Sequence, residues 1–161
     1  MAIDFTLDPE IEELRLRVRS FIDEVVKPGE AQIGGLDTGI ERDEYIRILL
    51  EMRGKALDAG MWLPHMPEEW GGMGLGHVGL AMVQAEAAKS SWGPWVMNCQ
   101  APDEGNMHTL LHWGTDEQKE KYLRPLCKGT QMSCFAMTEP EVAGSDPTLI
   151  QTRAYEDGDE W

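Results

Sequence analysis

Apolar side chains recur at every third or fourth position in several long segments of the first 128 residues. This spacing gives a helix one apolar face, and such faces leave water only by packing against each other. The first segment begins at Asp8 and Pro9, a pair typical of a helix start, and it should end at Pro28 and Gly29. The pattern therefore predicts a bundle of about five helices.

Four further helices are predicted after the first. The second covers roughly 41–59, the third includes 80–87, and the fourth covers roughly 102–113 before a glycine. The fifth begins at Thr115, which fits a capping box with Gln118, since each side chain can satisfy a backbone N–H of the other residue.

The helical pattern stops after Gly129. Residues 131–137 are predicted as a short buried strand and residues 149–155 as a second strand. Residues 157–158, Asp-Gly, are typical of a hairpin turn, whose partner strand would begin at Trp161. Because two strands alone are marginal in water, truncation, disorder at the end, or completion by another polypeptide are open alternatives. We expect a helical domain and the incomplete start of a β-domain, at residues 1–129 and 130–161.

Charge and composition limit the partners of the chain. It has 29 acidic and 14 basic residues, a formal net charge of -15, so it should repel nucleic-acid phosphates and anionic lipid surfaces. Cys99, Cys127 and Cys134 show no CxxC spacing and lie in apolar sequence, which favours reduced thiols in a core. No apolar run could span a bilayer, and residues 1–5 do not resemble a targeting signal. We expect no nucleic-acid or membrane partner and a cytoplasmic location.

The segment 134–146 combines residue types that suit a nucleotide ligand. A strand would deliver Thr138 to a loop in which Gly144 and Ser145 can bring backbone N–H groups and a hydroxyl close to a phosphate. The apolar residues just before this threonine suit a flat, partly apolar ring with a hydrogen-bonding edge. Because surface loops often share this composition without binding anything, the residues themselves leave both interpretations open.

The same segment resembles the hallmark of the acyl-CoA dehydrogenase family, in which an apolar strand leads into Thr-Glu-Pro and then Gly-Ser-Asp. Three other stretches resemble a Pro-x-Glu-aromatic-Gly-Gly loop, a Gly-x-x-x-Gln-Lys-x-x-x-Leu helix and a strand-ending turn of that family, at residues 67–74, 114–123 and 157–158. The resemblance covers essentially the whole chain. Between Thr138 and Gly144 the chain has one residue more than the commonest short- and medium-chain members of the family. This spacing is similar to that of the subgroup linked to longer acyl chains.

This resemblance implies a mainly α fold, with an N-terminal helical bundle followed by the first strands of a β-domain, and it implies an FAD cofactor. Thr138 would bond the pyrimidine side of the flavin, and Ser145 would approach the pyrophosphate and the acyl-CoA. The helix segment around Asn106, Met107 and Leu110 would line the acyl channel. The residues implied in cofactor binding are Phe135, Ala136, Met137, Thr138, Gly144 and Ser145, and those implied in substrate binding are Ser145, Asn106 and Met107.

The activity implied is the α,β-dehydrogenation of acyl-CoA thioesters in fatty acid β-oxidation, with electrons passing from the flavin to an electron-transfer flavoprotein. The full-length form would be a homo-oligomer. The family's catalytic base is a glutamate in a carboxy-terminal domain, and no residue here corresponds to it. We therefore assign no catalytic residue, expect Glu139 to support the loop, and expect this chain alone to be inactive. A non-catalytic binding or assembly module and a related flavin oxidase or monooxygenase are the alternatives.

Other patterns have simpler explanations than the sites they suggest. The stretch 72–77 ends in histidine rather than glycine and follows no strand, so a structured loop is preferred to a dinucleotide fingerprint. His108 and His112 lie four apart on a predicted helix, but no third ligand is evident and no metal is expected. His65 and His77 should be surface or capping groups. The six tryptophans and ten methionines are expected mainly as core and interface filler, the alternative being an acyl-channel wall.

Overall fold

The computed structural model of the chain describes residues 6–34 and 39–160, in which eight α-helical segments confirm the mainly helical fold. They are α1 Pro9–Phe21, α2 Lys27–Ile33, α3 Arg42–Asp58, α4 His77–Ala87, α5 Gly93–Val96, α6 Asp103–Trp113, α7 Asp116–Gln118 and α8 Arg124–Cys127. Two π-turns, Ile22–Val26 and Lys119–Leu123, join α1 to α2 and α7 to α8, and 3-10 turns occupy Glu68–Trp70 and Pro147–Leu149. Within the described ranges, no helix has the length and apolar character needed to cross a bilayer. Residues 1–5, which show no targeting signal, and Trp161, where a partner strand is predicted to begin, lie outside these ranges.

The second, third and fourth predicted helices correspond to α3, α4 and α6, and the fifth corresponds to α7 and α8 with their π-turn. The capping box is confirmed, because the Gln118 N–H donates to the Thr115 hydroxyl at 3.2 Å and the Thr115 N–H donates to the Gln118 side chain at 2.9 Å. The single turn α5 is absent from the predictions, since four residues are too few to show a helical period.

The first helix begins as predicted but does not end at Pro28. The Asp8 side chain accepts a first-turn N–H at 3.0 Å, and helical structure then continues to the end of α2. A proline inside an α-helix lacks a donor and presses against the carbonyl four residues earlier. In the π-turn before it, the Lys27 N–H bonds the Ile22 carbonyl, and this wider turn accommodates the ring. The second π-turn precedes Pro125 in the same way.

The helices surround an apolar core in which α1 packs against α4, and α3 packs against α2 and α5. Trp62 and five methionines are buried there as predicted for core residues, whereas Trp113 and Met132 are exposed. Cys99 and Cys127 are buried as predicted, but Cys134 is exposed, so its predicted place in the core is wrong. The largest fully buried apolar side chains are Val18, Ile22, Val26, Leu63, Met66, Val83, Val96, Met97, Met107 and Leu123.

A buried ion cluster joins α1 to α4. Glu86 on α4 accepts hydrogen bonds from Arg15 at 2.6 Å, from Arg19 at 2.9 Å and from Lys89 at 2.5 Å. These bonds, that of Arg19 foremost, lower the pKa of Glu86 to about 2. Because an unpaired carboxylate is costly to bury, the three cations explain how this acid is accommodated between two helices.

Arg53 on α3 forms the polar centre of the bundle. Its side chain is buried, donates to the Trp95 carbonyl at 2.7 Å and to the Asn98 side-chain oxygen at 3.2 Å, and stacks over the Trp62 ring at 4.8 Å. The carbonyl belongs to the C-terminal end of α5, where a helix favours a positive charge. These contacts fix α5 and the loop after it against α3.

The same group of side chains fixes the end of α8. The Asn98 amide donates to the Leu126 carbonyl at 3.0 Å, and the Trp62 indole N–H donates to the Cys127 carbonyl at 2.9 Å. Gly129 follows with φ +66°, and a Cβ there would lie 2.3 Å from an Arg53 guanidinium nitrogen. Only glycine fits this close approach, so the point at which the chain leaves the bundle is determined by packing against Arg53.

Beyond this point, the described residues form no sheet, and the predictions of strands at 131–137 and 149–155 are wrong, because neither segment is a strand there. The predicted burial of the first strand is wrong, because Phe135 is 69% exposed. A strand needs a neighbour to pair its backbone groups, and the part of the chain that the structure describes supplies none here. The predicted turn at 157–158 is confirmed by a backbone bridge between Asp157 and Glu160.

Two glycines lie inside helices for opposite reasons. A Cβ atom at Gly29 would lie 2.3 Å from Met52 Sδ on α3, so this glycine allows two helices to approach closely and does not end one. A Cβ atom at Gly54 would meet nothing within 4 Å, and this residue is exposed in the middle of α3. Packing of α3 therefore holds Gly54 in a helix that it does not itself favour.

Replacing Gly54 with alanine should raise the free energy of unfolding by about 1 kcal/mol, because alanine has the better helix propensity and finds open space. The matched change Gly29→Ala should lower it by about 1–3 kcal/mol through overpacking against Met52. Urea unfolding followed by circular dichroism measures both. Equal effects of the two substitutions would contradict the assigned packing.

Candidate functional site

The chain leaving the bundle is held against the start of α6. The Asp103 carboxylate is 1% exposed and accepts hydrogen bonds from the Ser133 N–H at 2.7 Å, the Ser133 hydroxyl and the Gln100 side chain at 2.6 Å. Asn106, one turn later, donates to the Ser133 hydroxyl at 2.8 Å and to the Cys134 carbonyl at 3.4 Å. We call residues 130–138 the exit segment.

A cavity of about 310 Å³ lies between the exit segment and the helices. Asn106, Thr109 and Leu110 of α6 form one side of it. Tyr122, Leu126 and residues 131–133 form the rest. The cavity wall is mostly apolar with a few hydrogen-bonding groups, a combination typical of small-molecule sites.

Of the helix residues predicted to contact substrate, Asn106 and Leu110 line this cavity, whereas Met107 is fully buried in the core. Residues on neighbouring positions of a helix point in different directions, which explains why one faces the cavity and the next does not. The assignment of Met107 to the substrate stays a prediction.

The loop after the exit segment brings together the two groups predicted to meet a phosphate and a ring edge. A Cβ at Gly144 would lie 3.7 Å from both the Cα and the hydroxyl oxygen of Thr138. Ser145 is exposed next to it. Among the described residues, neither the Thr138 nor the Ser145 hydroxyl has a hydrogen-bond partner. Both are therefore available to a ligand.

The predicted ring-facing residues are accessible. Phe135 and Ala136 are exposed and Met137 is half-buried, so the chain before Thr138 presents apolar surface to solvent. The exposed Phe135 ring thus lies three residues before Thr138, whose hydroxyl has no hydrogen-bond partner among the described residues.

Glu139 supports the loop, as expected. Its carboxylate accepts the backbone N–H groups of Gln151 at 2.9 Å and Thr152 at 2.7 Å, and also the Thr152 hydroxyl. These bonds, led by that of the Thr152 hydroxyl, lower the pKa of Glu139. Since all its contacts tie two parts of the chain together, this acid is a structural element of the loop.

His65 is not a surface or capping group, and this prediction is wrong. It is 7% exposed, and within the described residues neither ring nitrogen has a hydrogen-bond partner. Its ring lies 5.4 Å from the ring of His108, which stacks on His112 at 6.1 Å. Burial, with a smaller contribution from His108, lowers the pKa of His65 to about 4. His77 is exposed as predicted.

The glycine-rich loop before α4 has a structural role. A Cβ at Gly72 would lie 2.0 Å from the Met66 carbonyl oxygen, and Gly74 has φ +61°. The loop is therefore a tight turn packed on its own backbone, which agrees with the preferred interpretation of this stretch.

The fold and these motifs agree with comparisons to known proteins. A family model described as the acyl-CoA dehydrogenase N-terminal domain matches residues 8–130. The chain belongs to the acyl-CoA dehydrogenase family. A solved structure from Mycobacterium abscessus named as an acyl-CoA dehydrogenase superposes with a TM-score of 0.83 at 34% identity, covering 96% of this chain and 40% of that one.

Two relatives show how much of an acyl-CoA dehydrogenase the chain represents. Acyl-CoA dehydrogenase family member 11 of Homo sapiens is 33% identical over 154 residues, which are 93% of this chain and 19% of that protein. A probable acyl-CoA dehydrogenase of Mycobacterium tuberculosis is 34% identical over 158 residues, 97% of this chain and 38% of that protein. The chain thus spans well under half the length of these relatives.

Sequence reasoning missed Asp103 and Ser133 in this acyl-CoA dehydrogenase domain. An acid in the first turn of a helix usually faces solvent, where it favours the helix N-terminus, so nothing in the sequence around Asp103 indicates burial. Ser133 lies in a segment predicted as a strand, which gives no sign of a contact with a residue 30 positions earlier. The sequence feature that could have indicated them is an acidic residue at the start of one helix together with a hydroxyl residue shortly after the last helix, because these two can form a hydrogen bond.

Replacing His65 with leucine should remove part of the pH dependence of stability. Between about pH 6.5 and 4 the unfolded chain binds a proton that the folded chain excludes, so the natural protein loses stability as the pH falls through this interval. Over this interval the natural chain should lose about 3 kcal/mol more free energy of unfolding than the His65→Leu variant, as expected from a pKa lowered to about 4. Urea unfolding at a series of pH values measures it, with His77→Leu as an exposed control. Parallel curves for the natural chain and the His65 variant would show that the imidazole is not buried.

Proposed function

We propose that this chain forms one wall of the flavin and acyl-CoA site of an acyl-CoA dehydrogenase that removes hydrogen from the α and β carbons of an acyl-CoA thioester. The observation that carries this proposal is the close approach of Gly144 to Thr138 in an exposed loop. Thr138 and Ser145 are both exposed there, and neither hydroxyl has a hydrogen-bond partner among the described residues. Family membership supports FAD as the ligand of that loop.

The residues of the loop suit the parts of FAD. Phe135, Ala136 and Met137 would lie along the isoalloxazine ring, and the Thr138 hydroxyl would bond its pyrimidine edge. Gly144 and Ser145 would hold the pyrophosphate, because glycine lets backbone N–H groups come close to phosphate oxygens. Bound FAD would supply the hydride acceptor for the substrate β-carbon.

The cavity beside the exit segment is the proposed entrance to the acyl site. Asn106 offers a side-chain amide and Leu110 an apolar surface, so this face of α6 can both orient and enclose an acyl group. Met107 and Ser145 complete the proposed substrate residues. We propose no catalytic base in this chain, so the α-proton is taken by a residue outside it, and the isolated chain should show no turnover.

The proposal extends to the complete enzyme. Electrons would pass from the reduced flavin to an electron-transfer flavoprotein, within fatty acid β-oxidation in the cytoplasm. The complete enzyme would be a homo-oligomer. Because the chain has a net charge of -15, an anionic ligand such as FAD or acyl-CoA would need local N–H groups, and in this proposal the Gly144 loop would supply them.

The substitution Thr138→Val should weaken FAD binding about three- to tenfold, because valine has nearly the same shape but cannot form the proposed hydrogen bond. Quenching of flavin fluorescence on titration with the chain measures the dissociation constant. Thr130→Val is the control, since the Thr130 hydroxyl bonds the Pro125 carbonyl outside the loop.

Absence of FAD binding by the natural chain, or equal binding by the Thr138 and Thr130 variants, would count against this site. Turnover of acyl-CoA by the isolated chain with an artificial electron acceptor would contradict the proposed absence of a catalytic base.

A further inference from the structure

Asp103 is a buried carboxylate whose hydrogen bonds within the described residues all come from neutral donors: the Ser133 N–H, the Ser133 hydroxyl and the Gln100 amide. Burying a carboxylate without a directly bonded cation is costly unless several hydrogen bonds satisfy it. Two of these three bonds reach the same residue of the exit segment. Most of the hydrogen bonding that stabilises this buried carboxylate therefore holds Ser133 in place.

Ser133 is held from two sides by α6. Asp103 accepts its N–H and hydroxyl, and Asn106 donates to its hydroxyl oxygen at 2.8 Å. The hydroxyl therefore acts as donor to one side chain and acceptor from the other, an arrangement that fixes its orientation. The backbone N–H bond fixes the chain direction at the same point.

We infer that Asp103 is a positioning residue for the flavin, because it sets the place and direction in which the exit segment leaves the bundle. This inference rests on the proposed function. Phe135 follows Ser133 by two residues, so at most about 7 Å of chain separates Ser133 from the ring that would meet the flavin. Thr138 follows by five residues, at most about 17 Å of chain, so the bonds to Ser133 control the position of Phe135 more strongly than that of Thr138.

The same carboxylate also sets one side of the substrate cavity. Ser133 lines that cavity together with Asn106. A shift of Ser133 would therefore move the proposed flavin wall and the proposed acyl entrance together. Asp103, which touches neither ligand in this scheme, acts through Ser133 on both.

The oxygens of the aspartate are essential to this role. One of them, Oδ1, accepts both bonds from Ser133, and the other, Oδ2, accepts the bond from the Gln100 amide. An asparagine could keep its oxygen toward Ser133 and turn its amide toward Gln100, so a substitution that removes both oxygens is needed. The substitution Asp103→Ala does so and breaks the tether. Glu104→Ala is the matched control, because it removes a carboxylate in the same turn of α6, where Glu104 bonds Gln84 instead.

The position of the exit segment can be measured with spin labels. Cys134 is exposed, whereas burial raises the pKa of the Cys99 thiol to about 12 and of the Cys127 thiol to about 11, so a nitroxide reagent should react at Cys134. A second label on Val78→Cys, at an exposed position of α4, provides a reference within the bundle. Pulsed electron resonance then gives the distribution of distances between the two labels.

We expect one narrow distribution for the natural sequence and for Glu104→Ala, and a broad one for Asp103→Ala. FAD affinity of the Asp103 variant should fall about ten- to a hundredfold, as expected for losing hydrogen bonds to a charged group, while the Glu104 variant stays within about twofold of the natural chain. A purely structural role would change stability without broadening the distances. Urea unfolding is measured alongside, because the charge of Asp103 also favours the buried Arg53 cation.

A narrow distribution in the Asp103 variant would overturn the inference. Should that variant fail to fold, Ser133→Pro removes both donors, the hydroxyl and the backbone N–H, from the other side of the contact without altering the helices. A narrow distribution for Ser133→Pro would then overturn the inference, and a broad one would support it. If the natural chain does not bind FAD but the distance distribution broadens in the Asp103 variant, the proposed function is contradicted. The hydrogen bonds of Asp103 to Ser133 would still be shown to position the exit segment.

Discussion

The buried guanidinium of Arg53 is the interaction on which the arrangement of the bundle depends. It bonds the carbonyl end of α5, engages Asn98, and covers the face of Trp62, and these two side chains in turn bond the last carbonyls of α8. A buried cation must be satisfied on every side, so each of these elements has one acceptable position. Gly129 completes the arrangement because no larger residue could pass the guanidinium.

This constraint reaches the candidate site through the chain that follows. Once Arg53 and Gly129 determine where the chain leaves α8, Ser133 comes within reach of α6, and Asp103 takes up its N–H and hydroxyl. The loop beyond is held by a second carboxylate, Glu139. Asp103, Glu139 and the buried Arg53 cation thus hold in place a segment that pairs with no sheet among the described residues. The proposed ligand wall is shaped by polar tethers more than by apolar packing.

The helical part could be predicted from the sequence because its signals are local. Apolar periodicity located α3, α4 and α6, and the capping box at Thr115 was recognised from two residues three positions apart. The loop residues around Thr138 and Gly144 were found through a family motif of the same local kind. Their mutual approach in the structure agrees with the expectation that they act together.

What the sequence determined by itself was most of the helices, the caps at Asp8 and Thr115 and the family motif around Thr138 and Gly144, since each depends on neighbours a few positions away. Only the tertiary structure decided that Pro28 lies inside a continuous helix, that His65 is buried without a hydrogen-bond partner, and that Asp103 holds a serine of the exit segment. The burial of His65 and the bonds of Asp103 depend on contacts between residues distant in sequence. The continuous helix depends on a wider π-turn that accommodates the Pro28 ring. Local pattern carries no information about either, because burial and partner are properties of the assembled bundle.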